Sequence, residues 1–220
     1  MGKVTFGYWN IRGLAEPIRV LLHYKKVDFE DKRYVLGTDE WSNEKFNLGL
    51  DFPNLPYYME GDIKISQSTT ILRYLARKHG LDGKDDKQKL RVSLAEQQIV
   101  DMRMALINLS YSDNFESAKG DFTKKIPDQM KQFEKFLGDR KYIAGDEITY
   151  VDFLAYETFD LYRLFQADAL EGCPNLQAFQ NRIKNLPELR GYLNSADYQI
   201  WPIFGLTAKF GGTGDRPKHA

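Results

Sequence analysis

The period of the apolar residues changes near residue 80, and that change restricts the fold of this chain most. Before it, period-two runs alternate with helix-period runs; after it, only helix-period runs remain. "KVTFGYW" sets Val4, Phe6 and Tyr8 on one face and Thr5 and Gly7 on the other, as a strand does. "PIRVLLHYKKV" then carries Ile18, Leu21, Leu22 and Lys25 at helical spacing, with Pro17 suited to a first turn. "DFEDKRYVL" reads as a second strand, polar enough for a sheet edge. "DEWSNEKFNLG" reads as a short helix closed by Gly49. "PYYMEGDIKISQS" reads as a hairpin across Glu60-Gly61-Asp62, and "STTILRYLARKHG" as a helix over Ile71, Leu72 and Leu75 that stops at Gly80.

The order βαβαββα predicts a small α/β layer with a mixed sheet. The polar segment "GLDGKDDKQKL" marks a boundary, placing one domain at 1–84 and an all-α domain at 85–220. In the second domain, helices are expected over "LRVSLAEQQIVDMRMALINLSYS", over "IPDQMKQFEKFLG" starting at Pro127, and over "TYVDFLAYETFDLYRLFQ". Two shorter ones begin at Pro174 and Pro187. Thr149-Tyr150-Val151-Asp152 resembles a capping box, although Asp is short for the reciprocal arm. The tail "FGGTGDRPKHA" is expected to fray.

The charge balance, 31 basic against 31 acidic residues, offers no global field for nucleic acid or an anionic membrane. No apolar run reaches spanning length, and "MGKVTFGYW" reads as a strand rather than a secretory signal, so a cytoplasmic protein is expected. Cys173 is the only cysteine, which excludes an internal disulfide and a Cys-x-x-Cys pair. His23, His79 and His219 lack ligand spacing, so no metal site is expected.

Several positions admit two readings. Tyr8, at a strand end, is either core or ligand-facing. A cis bond before Pro56 would turn the backbone N–H and C=O of Leu55 outward, where an extended peptide can pair with them; an ordinary tight turn is the alternative. Ser68 can cap the following helix, or the free N–H groups there can hold a carboxylate. Trp41 and Lys45, four apart, share a helix face and suit a cation–π contact as well as a ligand. Val100, Met104, Ile107 and Tyr111 recur at helical spacing and by themselves read as a core stripe.

Taken together, "GYWNIRGLAEPIR", "GLDFPNLPYYMEGDIKISQSTTILRYLARKHGLDG" and "TYVDFLAY" resemble a cytosolic glutathione S-transferase, most closely the mu class. The resemblance runs from about Val4 to Phe204. It implies a thioredoxin-like N-terminal domain, a helical C-terminal domain, a homodimer, and glutathione as co-substrate with no permanently bound cofactor. Tyr8 matches the catalytic tyrosine. Trp9, Leu14, Trp41, Lys45, Asn54, Leu55, Pro56, Gln67 and Ser68 match glutathione contacts, and Asp101 matches an acidic residue supplied by the partner subunit. Ile11, Leu14, Leu36, Val100, Met104, Ile107, Tyr111 and Phe204 match an apolar pocket for small hydrophobic electrophiles. Phe52, Arg73 and Arg77 match the dimer interface. Between Tyr34 and Trp41 the chain has only "VLGTDE", shorter than in many mu-class members and without their arginine, so more of the glycine-end contact falls to Lys45. Arg12 has no assigned role beyond structure. Two other readings stay open on these residues: a non-catalytic carrier of hydrophobic ligands or structural homologue, and a glutathione-dependent isomerase of the prostaglandin synthase type.

Overall fold

Strand β1 (Val4–Trp9) lies inside a four-stranded sheet whose order is β2 (Phe29–Tyr34), β1, β3 (Tyr57–Glu60), β4 (Ile63–Ser66). The computed structural model describes residues 3–219; Met1, Gly2 and Ala220, which include the outer limits of the two expected domains, lie outside it. Helix α1 (Glu16–Tyr24) carries the chain back across the sheet, so β1 and β2 pair in parallel, whereas β1–β3 and β3–β4 are antiparallel. The polar strand β2 takes the expected edge position. Gly7 faces Tyr57 across the β1–β3 pair, and a methyl group on it would run into the Tyr57 ring, so this position admits only glycine.

The remaining helices are α2 (Glu40–Glu44), α3 (Ser68–His79), α4 (Asp86–Tyr111), α5 (Phe115–Leu137), α6 (Tyr150–Phe165), α7 (Pro174–Lys184) and α8 (Pro187–Leu193). Helix α6 is buried along nearly its whole length and packs against α1, α4 and α7, while α1 also rests on α8. The sheet half and the helical half therefore meet along α1 and α6.

Five local expectations need correction. Strand β2 stops at Tyr34 instead of running to Leu36, and α2 is a single turn that ends well before Gly49. Helix α4 begins four residues before Leu90, because Asp85 caps it by accepting from the Gln88 N–H at 2.8 Å. Helix α5 runs through Pro127 instead of starting there. The proline is exposed, so its ring faces water instead of the packed side of the helix. Much of the tail is docked: Gly211 O accepts from the Ile203 and Phe204 N–H groups at 2.7 and 2.8 Å, and Trp201 Nε1 donates to Gly214 O at 2.7 Å.

The short Asp152 does reach back at the start of α6. It accepts from the Thr149 N–H and, beyond the helix, from the Ile143 N–H, both at 2.7 Å. Burial pushes its carboxyl up to about 7 despite those donors.

The halves are also joined by buried charge. Arg12 donates through Nε to Glu157 at 2.7 Å and through Nη2 to Asp160 at 2.7 Å and Tyr198 at 2.8 Å. The Tyr198 hydroxyl in turn donates to Glu157 at 2.8 Å. Beside it Arg19 holds Glu16 at 3.1 Å, Asp31 at 3.0 Å and the Ile11 carbonyl at 3.1 Å. Removing one member leaves the others charged and buried, a loss of about 3–5 kcal/mol. Arg12→Met is accordingly expected to lower the urea unfolding free energy by about that much, and an unchanged midpoint would show that the network contributes nothing to folding.

Candidate active site

Tyr8 stands one residue before the end of β1, and the turn after the strand folds over its ring. The Tyr8 hydroxyl accepts the Leu14 N–H at 3.2 Å. Gly13 has φ +42, and a side chain there would put its first carbon 2.6 Å from the Tyr8 oxygen, so both the backbone angle and the space call for glycine. The other half of the molecule holds this turn. Arg12 N donates to Pro202 O at 3.0 Å, Gly13 N to Ile203 O at 2.8 Å, and the Arg103 guanidinium to the Gly13 carbonyl. Burial pushes the Tyr8 phenol above its ordinary value, against the opposing pull of the Leu14 N–H and Arg103. At neutral pH Tyr8 is thus a neutral phenol whose own proton is available for donation.

Helix α2 is too short to be stable alone and is fastened to the sheet from two sides. Lys32 Nζ bonds both Glu44 oxygens, and the Tyr34 hydroxyl donates to Glu44 at 2.6 Å while lying 2.9 Å from that of Tyr57. Lys32 holds the Glu44 carboxyl below the usual carboxylate range. On the other side Trp41 stacks on Tyr57, with ring centroids 6.2 Å apart and planes at 19°. The Lys45 ammonium lies 5.3 Å from the Phe46 ring, so the aromatic ring it meets is that of Phe46 rather than Trp41, and the cation–π alternative for the Trp41–Lys45 pair is not the one the structure takes. The short loop before α2 closes on itself, Val35 N to Glu40 at 3.0 Å and Thr38 Oγ1 to Val35 O at 2.9 Å.

Of the two readings open at this turn, the structure has the cis one: the Leu55–Pro56 bond is cis. Its neighbouring N–H is less free than expected, because Leu55 N donates to Asn54 Oδ1 at 2.9 Å. Ser68 is not the cap of α3 but its first residue. The cap is Gln67, and no side chain bonds the leading N–H groups. Gln67 adopts φ +72 and ψ +111, unusual for a residue with a side chain and of order 1–3 kcal/mol in cost, a strain that concentrates at ligand sites. The first turn of a 12-residue helix thereby keeps its donors and its positive dipole end for an anion.

On the apolar side, Val100, Met104, Ile107 and Tyr111 are not the core stripe that their spacing alone suggested. Val100 and Ile107 are half-buried, while Met104 and Tyr111 are about 40% exposed. The core stripe of α4 is a different one, through Val92, Ile99, Met102 and Leu106. Tyr111 lies 6.1 Å from Phe204 between ring centroids and accepts the Gly205 N–H at 2.6 Å. Ile11 and Phe204 are buried, Leu14, Leu36 and Trp9 are half-buried, and Tyr111 is near enough to act electrostatically on Tyr8. Asp101 is exposed on α4 and bonded to Gln97 at 2.8 Å, Arg73 reaches the buried Glu96, and Arg77 is exposed. Two concavities elsewhere on the molecule, about 740 Å³ beside Tyr156 and about 870 Å³ beside Val4, are not lined by Tyr8.

Sequence reasoning missed Arg103, Glu44, Tyr34 and Tyr57, and left Arg12 without partners. One signal was present: Arg103 and Glu96 interrupt the apolar stripe of α4 at positions that should be buried.

A four-stranded mixed sheet joined to an all-helical half, with Tyr8 buried where the two meet and Cys173 buried at the cap of α7, defines a two-part class of fold with a tyrosine and no cysteine at the end of β1. The family description "Glutathione S-transferase, N-terminal domain" matches residues 4–77 and "Glutathione S-transferase, C-terminal domain" matches residues 100–196. Glutathione S-transferase Mu 1 of Mus musculus is 49% identical over 211 residues, covering 93% of this chain and 97% of the mouse protein. Glutathione S-transferase B of Cavia porcellus is 47% identical over 93% of this chain and 97% of its own length. The crystal structure of the glutathione S-transferase Blo t 8 superposes with a TM-score of 0.89 at 36% identity, covering 94% of this chain and 99% of that one. The chain belongs to the glutathione S-transferase family, most like its mu class, and its fold is the thioredoxin-like and helical pair that the resemblance implied.

Proposed function

We propose that the chain conjugates glutathione to small hydrophobic electrophiles, with the Tyr8 hydroxyl donating a hydrogen bond to the glutathione sulfur. The observation that carries this is the buried, neutral Tyr8 phenol, fixed by the Leu14 N–H at a junction with apolar side chains beside it. A thiol of pKa ~8.5 is mostly protonated at neutral pH, and the thiolate is the nucleophile. A hydrogen bond to a charged partner contributes about 1.5–3 kcal/mol, which lowers the thiol pKa by about one to two units at ~1.36 kcal/mol each. Toward the upper end of that range the thiol pKa falls below about 7 and the thiolate becomes the main form at neutral pH, and holding both substrates together supplies the remainder of the rate.

In this reading the tripeptide lies along the junction. Gln67, Ser68 and the free end of α3 take its γ-glutamyl carboxylate, Asn54, Leu55 and Pro56 its middle, and Trp9, Leu14, Trp41 and Lys45 its cysteinyl and glycine end. Asp101 reaches the γ-glutamyl amine of the partner subunit's site. Ile11, Leu36, Val100, Met104, Ile107, Tyr111 and Phe204 receive the electrophile. The two domains divide at 84/85, and the protein works in the cytoplasm in detoxification. Tyr8→Phe should raise the pH midpoint of kcat/KM with a generic aryl halide by about one to two units and cut the value at pH 7 about ten- to a hundredfold; turnover and profile unchanged would sink the assignment.

The active form is a homodimer in this proposal. Phe52 is 74% exposed, an unfavourable place for an aromatic ring. On the same chain an apolar slot of about 190 Å³ opens between α4 and α5, lined by Leu94, Ala95, Gln98, Gln132, Phe133 and Phe136. A ring from a second copy seated there contributes about 1.5–3 kcal/mol, twice per dimer. Arg73 and Arg77 flank the same face. Sedimentation of Phe52→Ser should show monomer at concentrations where the parent is dimeric; a dimer of unchanged strength would rule out the slot.

A further inference from the structure

Three buried arginines surround the turn after β1, and one differs from the others. Arg12 and Arg19 each hold two carboxylates, whereas the hydrogen-bond partners of Arg103 are both neutral: the Gly13 carbonyl and Thr158 Oγ1, the latter at 3.1 Å. A buried guanidinium without a carboxylate of its own is costly, and burial holds Arg103 down to about 10. Its placement has a specific geometry. The carbonyl that Arg103 holds and the N–H that Tyr8 accepts belong to the same peptide unit, Gly13–Leu14. Arg103, that peptide, the Tyr8 hydroxyl and whatever faces its proton thus form one chain of donors pointing in a single direction. Hydrogen bonds in such a chain polarise one another, by roughly 10–30% per bond.

We propose that Arg103 is a positioning residue for the reaction: by donating to the Gly13 carbonyl it aims and polarises the Leu14 N–H, and through it the Tyr8 hydroxyl that faces the glutathione sulfur. The proposal rests on the assignment of Tyr8 to the thiolate. The other groups that face Arg103 are Arg12 and Glu16 from the β1–α1 segment and Glu157 from α6, and Glu157 is already committed to Arg12 and Tyr198. Tyr8 additionally faces Tyr111 from α4 and Arg19 from α1. Neither carboxylate bonds Arg103, so its charge remains directed at the turn and at Tyr8.

The experiment is a thiolate absorbance titration of bound glutathione, paired with the pH profile of kcat/KM. In Arg103→Gln the bound-thiol pKa should rise by about one unit, with about a tenfold loss of kcat/KM below it and an unchanged KM for glutathione. A folded Arg103→Gln protein with the parent's thiol pKa overturns the proposal. If that variant does not fold, Arg103→Lys is compared in the parent and Tyr8→Phe backgrounds. A relay through Tyr8 requires a shift in the first and none in the second; equal shifts in both, or none in either, overturn it. Failure of the Tyr8 assignment would be visible separately, as a parent enzyme whose bound thiol titrates like free glutathione.

Discussion

The Arg12 guanidinium, fully buried between Glu157 and Asp160, is the contact on which the geometry of this protein turns. It belongs to the turn that leaves β1, and its partners belong to the central helix of the other half. As a source of net stability such a pair is a poor choice, since desolvating the charges consumes most of their attraction. Its value lies in direction. A guanidinium with two carboxylates and a tyrosine around it fits in one orientation, and that orientation sets where residues 10 to 14 run. Leu14 N then meets the Tyr8 oxygen, and Gly13 sits close enough to the ring to exclude a side chain.

Each half contributes what its architecture does best. The sheet fixes Tyr8 in depth, through Gly7 against Tyr57, and the same Tyr57 ring carries Trp41 of α2. One residue, at a strand position that reads as ordinary core, thereby connects the strand that carries Tyr8 to the short helix proposed to hold the far end of glutathione. The helical half supplies the lid of the turn through the Pro202 and Ile203 carbonyls, and the apolar wall through Tyr111 and Phe204. The site exists only where the two halves touch, which is why neither half taken alone explains the burial of Tyr8.

Much of this was legible in the sequence, for identifiable reasons. Period-two and helix-period runs reveal strands and helices because their faces are buried one-sidedly, and the order of β1 to α3 followed from them. Boundaries failed where a single residue argued against its context: Pro127 looked like a helix start, yet an exposed proline is tolerated inside α5. The Val100–Tyr111 stripe was misread by pattern alone, because a cleft wall and a core stripe share the same spacing. Phe52 and Lys45 gained meaning only by resemblance, since nothing local distinguishes them from surface residues. Least legible were Arg12, Arg103 and Glu44, whose partners lie 145, 90 and 12 residues away in the chain. Long-range polar pairs leave no periodic trace, and only the interruption of an apolar stripe hinted at Arg103.

The central claim is that Tyr8 acts as a neutral donor to the sulfur and does not give up its proton. The most direct measurement is the ionisation state of Tyr8 in the glutathione complex, read from the 13C resonance of its ζ carbon across neutral and mildly alkaline pH while the bound thiol is followed by absorbance. The account predicts a phenol signal for Tyr8 throughout, with the thiol already ionised at pH 7. A phenolate signal from Tyr8 beside a protonated thiol would contradict it.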